Sequence, residues 1–417
     1  MRSSAGRPRV SAKFGPGNGG RWTSRNCTTE LWGRLQVDVS NHWLAGVAIL
    51  AVLAGCSRDN SAPQAPPSTA PVASAPAARV VHVYNWSDYI DPAVVTEFEN
   101  TTGIKVVLDV FEGQDMLETK LLTGGSGYDV AVVASDKLGR LISAGVLQKL
   151  DYGLLPSSKN LDAELHAALA RIDPANAHAV GYHWGTTGIG YDMARLKELA
   201  PDAPADSWSL LYDPKFVTRM AGCGVSMVDA PSEIIATALM AEGRDPNDLS
   251  PESLSAAEAL LLKIRPSIRK IDYLTQIEDL ANGSQCLAIT WPADILRARV
   301  RAEESGKKLD LRYVIPREGT IRWVDTLAIP ADAPHPAEAH AFIEFLMRPD
   351  VAARNANYIG GATANAAAMP MIDEALRSDP NIYPTPEMRA KLVPLRMRTE
   401  DESRAENRVW TRFRTGL

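Results

Sequence analysis

Three tryptophans of this sequence each stand two or three residues before an aspartate. The pairs are Trp86 and Asp88, Trp291 and Asp294, and Trp323 and Asp325. A carboxylate neutralises positive charge, and the face of an indole ring attracts a cation, so such pairs suit an organic cation. Because the chain holds nine tryptophans, each pair alone is more readily explained by packing, whereas three pairs near predicted strand ends indicate a binding site.

The first pair lies in the loop 86–89, between a predicted strand and a predicted helix. Residues 80–84 are β-branched and aromatic, which favours a strand, and Asp91-Pro92 has the order of an N-cap residue and a first helical proline. In open α/β sheets, ligands bind at the carboxyl ends of strands. The loop is therefore predicted to reach a ligand, and an ordinary strand-to-helix turn around a buried tryptophan is the equal alternative.

Strands and helices alternate through the body of the chain, which favours an α/β fold with parallel βαβ units. Residues 181–191 are rich in Gly and Thr and are predicted as a strand that crosses between two lobes. The predicted strands occupy 80–84, 104–110, 128–133, 285–290, 309–315 and 323–329. The predicted helices occupy 92–101, 115–122, 136–144, 231–242, 255–264, 276–281, 293–304 and 336–347.

Length and charge bound the class of protein. A chain of 417 residues with 45% hydrophobic and 23% charged residues is long enough for two globular domains. The formal net charge is −6, and residues 1–55 carry seven Lys+Arg against two Asp+Glu, or +5, which leaves −11 on the remainder. An acidic body repels nucleic acid and weakly favours cationic ligands, although solubility alone explains the acidity more readily. No nucleic-acid partner is expected.

The beginning of the chain is predicted to be a targeting segment. Residues 43–55 form an apolar run that is too short for a bilayer span of about 20 residues and suits a secretory signal peptide. The run ends directly before Cys56 in Leu-Ala-Gly, which resembles the bacterial lipoprotein processing box, so Cys56 is expected to carry a lipid; a plain cleaved signal is the alternative. Residues 1–55 are thus a leader, of which 1–36 are expected to precede the true start, and 56–78 are a lipid-anchored Pro/Ala/Ser linker.

Sequence motifs of catalysis are absent. The chain has no Gly-x-Ser-x-Gly, no phosphate-binding loop and no Cys-x-x-Cys, and no carboxylate pair is spaced for acid–base work. The seven histidines are scattered, and His335 and His340 lack metal-ligand spacing. We therefore expect no enzyme activity, no catalytic residue, no cofactor and no metal.

Several separated motifs occur in the order found in one protein family. They are Tyr-Asn-Trp-Ser-Asp-Tyr-Ile at 84–90, Thr-Thr-Gly-Ile-Gly-Tyr at 186–191, Cys-Gly-Val-Ser at 223–226, Asp-Ala-Pro at 229–231, Asp-Leu-Ala-Asn-Gly at 279–283 and Arg-Pro-Asp-Val at 348–351. In these motifs the sequence resembles the periplasmic polyamine (putrescine/spermidine)-binding proteins of ABC importers, and most of all the putrescine-binding branch. The resemblance covers about four-fifths of the chain.

The resemblance implies an α/β fold of the type II periplasmic-binding-protein class, with two discontinuous lobes joined by hinge strands. Crossings near residues 183, 302 and 350 would build lobe 1 from 79–182 and 303–350, and lobe 2 from 183–302 and 351–417. Once Cys27 in the leader and Cys56 are set aside, Cys223 and Cys286 remain in an exported chain, which suggests one disulfide. The family pairs cysteines at these two motif positions.

Carried over residue by residue, the family motifs imply a ligand box. Its members here are Trp86, Ser87, Asp88, Tyr89, Glu233, Trp291, Asp294, Trp323 and Asp325. A diamine fits such a box, because its ammonium ends need carboxylate partners when buried and its methylene chain needs flat apolar walls.

Two positions depart from the family pattern. Ala134, Ser135 and Asp136 stand where the family has Pro-Ser followed by an aromatic residue. Ser135 remains a candidate donor, and Asp136 would add a carboxylate to the box if it faces the cleft. Gly361 aligns with a tyrosine of the putrescine-binding branch, which leaves room in the box unless a neighbour such as Tyr358 supplies the ring. We therefore expect a broader ligand preference than putrescine alone.

Together these features predict a monomeric, lipid-anchored periplasmic solute-binding protein. It would capture putrescine or a similar diamine by lobe closure and deliver it to the membrane subunits of an ABC importer. The alternatives are a carrier for another organic cation or a metal, a ligand sensor that docks on a membrane receptor, and, less readily, an extracytoplasmic enzyme. A metal carrier would need clustered Tyr, His and carboxylates, and the Trp content argues against it.

Overall fold

The computed structural model describes residues 79–111 and 113–417. The predicted leader, the lipid-attachment residue Cys56 and the linker up to residue 78 lie outside these described residues. Within them, every helix is too short or too polar to cross a membrane.

Strands and helices alternate in the described ranges much as the sequence predicts. The strands are β1 (Val80–Trp86), β2 (Lys105–Phe111), β3 (Val130–Ala134), β4 (Ala179–Thr186), β5 (Gly188–Asp192), β6 (Val225–Met227), β7 (Lys270–Ile271), β8 (Leu287–Thr290), β9 (Leu311–Val314), β10 (Thr320–Ala328), β11 (Ala362–Thr363) and β12 (Leu392–Pro394). The helices are α1 (Pro92–Thr102), α2 (Gln114–Thr123), α3 (Ser135–Ser143), α4 (Ala163–Leu169), α5 (Met193–Leu199), α6 (Ser209–Tyr212), α7 (Pro214–Met220), α8 (Pro231–Ala241), α9 (Pro251–Ile264), α10 (Gln276–Asn282), α11 (Pro292–Glu304), α12 (Pro336–Leu346), α13 (Pro349–Ile359), α14 (Glu374–Arg377), α15 (Pro386–Arg389) and α16 (Glu400–Thr415).

The strands form two separate mixed sheets, and each sheet is the centre of one lobe. The larger sheet has the order β11-β4-β10-β3-β1-β2, with β12 paired to β10, and the smaller sheet has the order β7-β6-β8-β5-β9. In the larger sheet β1 runs parallel to β2 and β3, whereas β10 runs antiparallel to β3 and β4. Buried aliphatic and aromatic side chains line both sheets, so each lobe has its own core.

The places where the chain changes sheet differ from the predicted lobe bounds. The chain leaves the larger sheet at Thr187, between β4 and β5, and returns to it within residues 315–319, because β9 still pairs with β5 in the smaller sheet. The strands β11 and β12 pair with β4 and β10, so the chain after residue 351 stays with the larger sheet until residue 394. By sheet membership, the lobe bound predicted at 303 lies within 315–319, and the bound predicted at 351 lies after 394. Pairing between strands that are distant in sequence decides these positions.

Local signals set the loop that follows β1. The side chain of Asp91 accepts a hydrogen bond from the Ala93 N–H at 2.8 Å, Pro92 is the first residue of α1, and Gly103 ends the helix with φ 68°. An N-cap of this kind stabilises a helix by about 1 kcal/mol. Because the helix start is fixed here, residues 86–90 are held at the carboxyl end of β1, as predicted.

The predicted disulfide between Cys223 and Cys286 is present, which confirms that expectation. Their Cα atoms lie 5.7 Å apart, and 63 residues separate them in sequence. Cys223 lies two residues before β6 and Cys286 directly before β8, so the bridge joins the starts of two neighbouring strands of the smaller sheet. On the chain-entropy model a loop of this length contributes about 4 kcal/mol to the stability of the lobe.

Candidate functional site

The predicted site residues of the larger-sheet lobe gather at one end of its sheet. β1 ends at Trp86, and Asp325 on β10 lies opposite Ala134, the last residue of β3. Ser135 follows directly, and its hydroxyl accepts a hydrogen bond from the Val324 N–H at 3.3 Å. Strand pairing therefore brings side chains from three distant parts of the chain to one place.

Asp325 is the buried carboxylate of this lobe, with 6% of its surface exposed. The Tyr89 hydroxyl donates a hydrogen bond to its Oδ2 at 2.8 Å. Burial raises the pKa of Asp325 to about 7, and hydrogen bonding by Tyr89 opposes that rise, as does the side chain of Trp86. Two neutral donors thus hold a carboxylate that burial makes easier to protonate.

Glu233 is the corresponding carboxylate of the smaller-sheet lobe, in the first turn of α8. The Trp291 indole N–H donates to its Oε2 at 2.9 Å, and the Thr187 hydroxyl donates to the same oxygen. Burial raises the pKa of Glu233 to about 7, and these two hydrogen bonds oppose the rise. Thr187 is the residue at which the chain changes sheet, so the link between β4 and β5 holds Glu233 directly.

Neither of these carboxylates has a cationic partner within residues 79–111 and 113–417. The ion pairs of the cleft involve Asp88 and Asp136, and neither Glu233 nor Asp325 forms one there. The negative charge of Asp136 raises the pKa of both groups further. Asp136 itself lies 3.9 Å from the Lys137 Nζ. The site therefore holds an excess of negative charge that a bound cation would neutralise.

Aromatic rings from both lobes meet between the two carboxylates. The ring centroid of Trp86 lies 6.4 Å from that of Trp291 and 5.6 Å from that of Tyr273, and the centroids of Tyr273 and Trp291 are 5.4 Å apart. Tyr273 is not among the predicted residues, because no strand is predicted before it; in the structure it lies two residues after the short strand β7. These rings provide the flat apolar walls that a methylene chain requires.

The two remaining predicted carboxylates are faced by arginines of α11. Asp294 is 5% exposed, and burial raises its pKa to about 6 while the charge of Arg297 opposes the rise. Asp88 is exposed; its Oδ2 lies 3.7 Å from the Arg301 Nη2, and its carbonyl oxygen accepts a hydrogen bond from Arg297. Ser87 beside it is also exposed. Asp88 therefore already has a cationic partner that Asp325 lacks.

Trp323 lies over the backbone of β4. A Cβ atom placed on Gly185, its partner in the strand pairing, would overlap the indole ring. The indole N–H of Trp323 is buried, and within the described part of the chain it has no hydrogen-bond partner. The lack of a side chain at Gly185 thus leaves the space that the Trp323 ring occupies.

A further polar group, His183, stands beside Tyr89 at a ring-centroid distance of 5.4 Å. Its Nδ1 lies 3.2 Å from the Ala362 carbonyl oxygen, while its Nε2 has no partner among the described residues. Burial lowers the pKa of His183 to about 4, so the ring is neutral near pH 7. Sequence reasoning missed this residue because its neighbours are brought in by strand pairing.

The backbone at Gly361 leaves room for a side chain. A Cβ atom there would meet only the Ile359 Cγ2, at 3.4 Å. Tyr358 is 43% exposed, which argues against its ring filling a buried box in place of the missing one.

Comparison with known proteins places this arrangement in a family. Residues 93–385 match the model of the bacterial extracellular solute-binding proteins. The chain belongs to this family. The predicted two-lobed periplasmic-binding-protein fold is confirmed, and so is the prediction of a solute-binding protein.

Individual relatives extend over nearly the same part of the chain. The putrescine-binding periplasmic protein SpuD of Pseudomonas aeruginosa is 44% identical over 350 residues, which are 84% of this chain and 95% of that protein. A putrescine/agmatine-binding protein of the same species is 42% identical over 337 residues, 81% of this chain and 92% of that protein. The solved structure of a spermidine/putrescine ABC transporter substrate-binding protein of Streptococcus pneumoniae is 26% identical, with a TM-score of 0.68, and the match covers 81% of this chain and 99% of that one.

Proposed function

We propose that this protein captures a polyamine, putrescine or a similar diamine, between its lobes and delivers it to an ABC importer without chemical change. One observation carries the proposal: Asp325 in one lobe is buried, Glu233 in the other is partly buried, and among the described residues only neutral donors contact the two carboxylates. The names of three relatives support the same ligand class. They refer to putrescine in the first, to putrescine and agmatine in the second, and to spermidine and putrescine in the third.

The physical argument follows from the cost of buried charge. An ionised carboxylate without a counter-ion is unfavourable in a desolvated site, and a partner of opposite charge removes much of that penalty. A diamine brings two ammonium groups joined by a flexible apolar chain, one for each lobe. The rings of Trp86, Trp291 and Tyr273 then enclose the methylene groups and attract the cationic ends. Because the ligand contacts both lobes, its binding favours the closed arrangement over an open one.

The carboxylates differ in how closely an arginine of α11 approaches them, and this difference predicts how much each contributes to ligand binding. Among the residues that the structure describes, Asp325 and Glu233 form no ion pair, whereas Asp294 is partly compensated by Arg297 and Asp88 is paired with Arg301. We infer that the ligand's ammonium groups pair mainly with Asp325 and Glu233.

Isothermal titration calorimetry with putrescine tests this ranking. Removing one partner of a buried charge pair costs about 2–5 kcal/mol, so Asp325→Asn and Glu233→Gln should each weaken binding by more than about 30-fold. Asp88→Asn is the matched control and should change affinity by less than about threefold, because Asp88 is exposed and already paired with Arg301. Unchanged putrescine affinity in both Asp325→Asn and Glu233→Gln would remove the proposed site.

The location of the protein also belongs to the proposal. The apolar run at 43–55 and Cys56 support export to the periplasm and attachment to a membrane by a lipid on Cys56. Cells fed radiolabelled palmitate should label the wild-type protein and not the Cys56→Ala variant. Equal labelling of the two proteins would contradict a lipid anchor at this residue.

A further inference from the structure

Two histidines and an aspartate far apart in sequence meet on the larger-sheet lobe, away from the proposed polyamine site. His82 lies on β1, Asp129 directly precedes β3, and His335 directly precedes α12. The Asp129 Oδ2 lies 3.3 Å from the His82 Nδ1 and 3.1 Å from the His335 Nδ1. Three separate segments of the lobe therefore direct one ligand atom each toward a common point.

Asp129 is held in place by the backbone of the same two histidines. The His82 N–H donates to Oδ2 at 2.8 Å, and the His335 N–H donates to Oδ1 at 2.6 Å. The carboxylate is fully buried, whereas the His82 and His335 side chains are 32% and 34% exposed. Hydrogen bonds that orient a ligating carboxylate are typical of metal sites, and the exposed imidazoles leave a path from solvent.

The spacing of the three atoms is close to that of zinc ligands. Zinc bonds of about 2.0–2.2 Å at tetrahedral angles put neighbouring ligand atoms about 3.4 Å apart. The two distances from Asp129 are already near this value, and all three atoms lie within 4.8 Å of one another. The imidazole rings are stacked, with centroids 5.7 Å apart. A small rotation of the exposed rings would therefore bring the two nitrogens into coordination distance.

A second buried aspartate, Asp173, shows that a single imidazole together with backbone N–H groups can supply the hydrogen bonds of a buried carboxylate. Asp173 accepts hydrogen bonds from the backbone N–H groups of His178 and Ala179, at 2.7 Å and 3.1 Å, and from the His178 Nδ1 at 2.8 Å. Asp129 has the same backbone support and one imidazole more. The second imidazole is the feature that hydrogen bonding alone does not require.

We propose that His82, Asp129 and His335 form a site for zinc or a similar divalent transition-metal ion, with the remaining coordination positions open to water. Two imidazoles and a carboxylate are a common ligand set for such ions. A bound ion would tie together β1, the segment entering β3 and the segment entering α12. His82 stands four residues before Trp86 on β1, about 13 Å along the strand. Metal and polyamine are therefore expected to bind independently.

Zinc titration of the purified full-length protein, without a polyhistidine tag, tests the proposal. We expect one saturable zinc per chain, a rise in melting temperature on zinc addition, and the same zinc affinity with and without saturating putrescine. His82→Asn and His335→Asn should each weaken zinc binding by more than about tenfold. Both variants should keep the putrescine affinity of the wild type, which shows that they are folded. His178→Asn is the matched control and should bind zinc like the wild type.

Three results would overturn the proposal. One is the absence of saturable zinc binding, and another is equal zinc affinity in the wild type and both histidine variants. The third is displacement of zinc by putrescine, which would place the metal among the carboxylates between the lobes instead. A protein that binds zinc as expected but fails to bind putrescine would contradict only the proposed function.

Discussion

The affinity for putrescine should depend steeply on pH near neutrality. Burial raises the pKa of both Glu233 and Asp325 to about 7. A protonated carboxyl group cannot neutralise an ammonium, so the ligand binds the ionised form of each. Protons therefore compete with the ligand, and the affinity should fall as the pH drops through about 7.

The size of the effect follows from the two pKa values. A group with a pKa of about 7 is about 90% ionised at pH 8 and about 10% ionised at pH 6, which is a tenfold change for each group. The dissociation constant should thus rise by about tenfold from pH 8 to pH 6 if one group must be ionised, and by up to about a hundredfold if both must be. At pH 7, binding should release about one proton per chain, half from each carboxyl group.

Calorimetry across this pH range, in buffers with different ionisation enthalpies, measures both quantities. Asp325→Asn and Glu233→Gln should each remove one group's share of the pH dependence, whereas Asp88→Asn should retain all of it because Asp88 is paired with Arg301. A dissociation constant that changes by less than about twofold between pH 8 and pH 6, with no proton release, would refute the reasoning.

The same pKa shifts predict the stability of the ligand-free protein. Both folded-state pKa values lie above the usual values of 4.5 for Glu233 and 3.8 for Asp325. The folded state therefore binds protons more tightly than the unfolded state between these limits. The contribution of the two groups to stability is complete below about pH 4 and is lost as the pH rises through about 7. Putrescine should consequently raise the melting temperature more at pH 8 than at pH 6.

Two further predictions concern ligand breadth and the disulfide. Because Gly361 leaves room, agmatine or spermidine should bind within about tenfold of putrescine, a gap of about 1.4 kcal/mol. The Gly361→Tyr variant should bind putrescine more tightly relative to both of these ligands. Competition calorimetry that shows a preference of more than a hundredfold for putrescine in the wild type would contradict this prediction. In protein with Cys27 and Cys56 replaced by serine, Cys223 and Cys286 should titrate as thiols only after reduction, and replacing this pair as well should lower the free energy of unfolding by about 4 kcal/mol in denaturant titrations. Free thiols in unreduced, denatured protein would exclude the bridge.

Local sequence was sufficient for the elements that carry the site. The Asp91-Pro92 start of α1 and the β-branched run of β1 act over a few residues, so the loop 86–89 could be placed at a strand end. Resemblance to a family then supplied the set of residues around it, and the structure brings Tyr89 to Asp325 and Trp291 to Glu233 as hydrogen-bonded pairs. Short-range preferences and motifs thus predicted most of the residues that the structure brings together around Asp325 and Glu233.

Only the tertiary structure decided which of the carboxylates has a cation beside it. Asp88 and Arg301 are more than 200 residues apart, and no periodicity or propensity links them; the packing of α11 against the loop 86–89 does. The same is true of His82, Asp129 and His335, whose scattered positions gave no metal-ligand spacing, and of the residues at which the chain changes sheet. Charge pairing, desolvation and strand pairing depend on distances in space, which the order of residues along a chain does not specify.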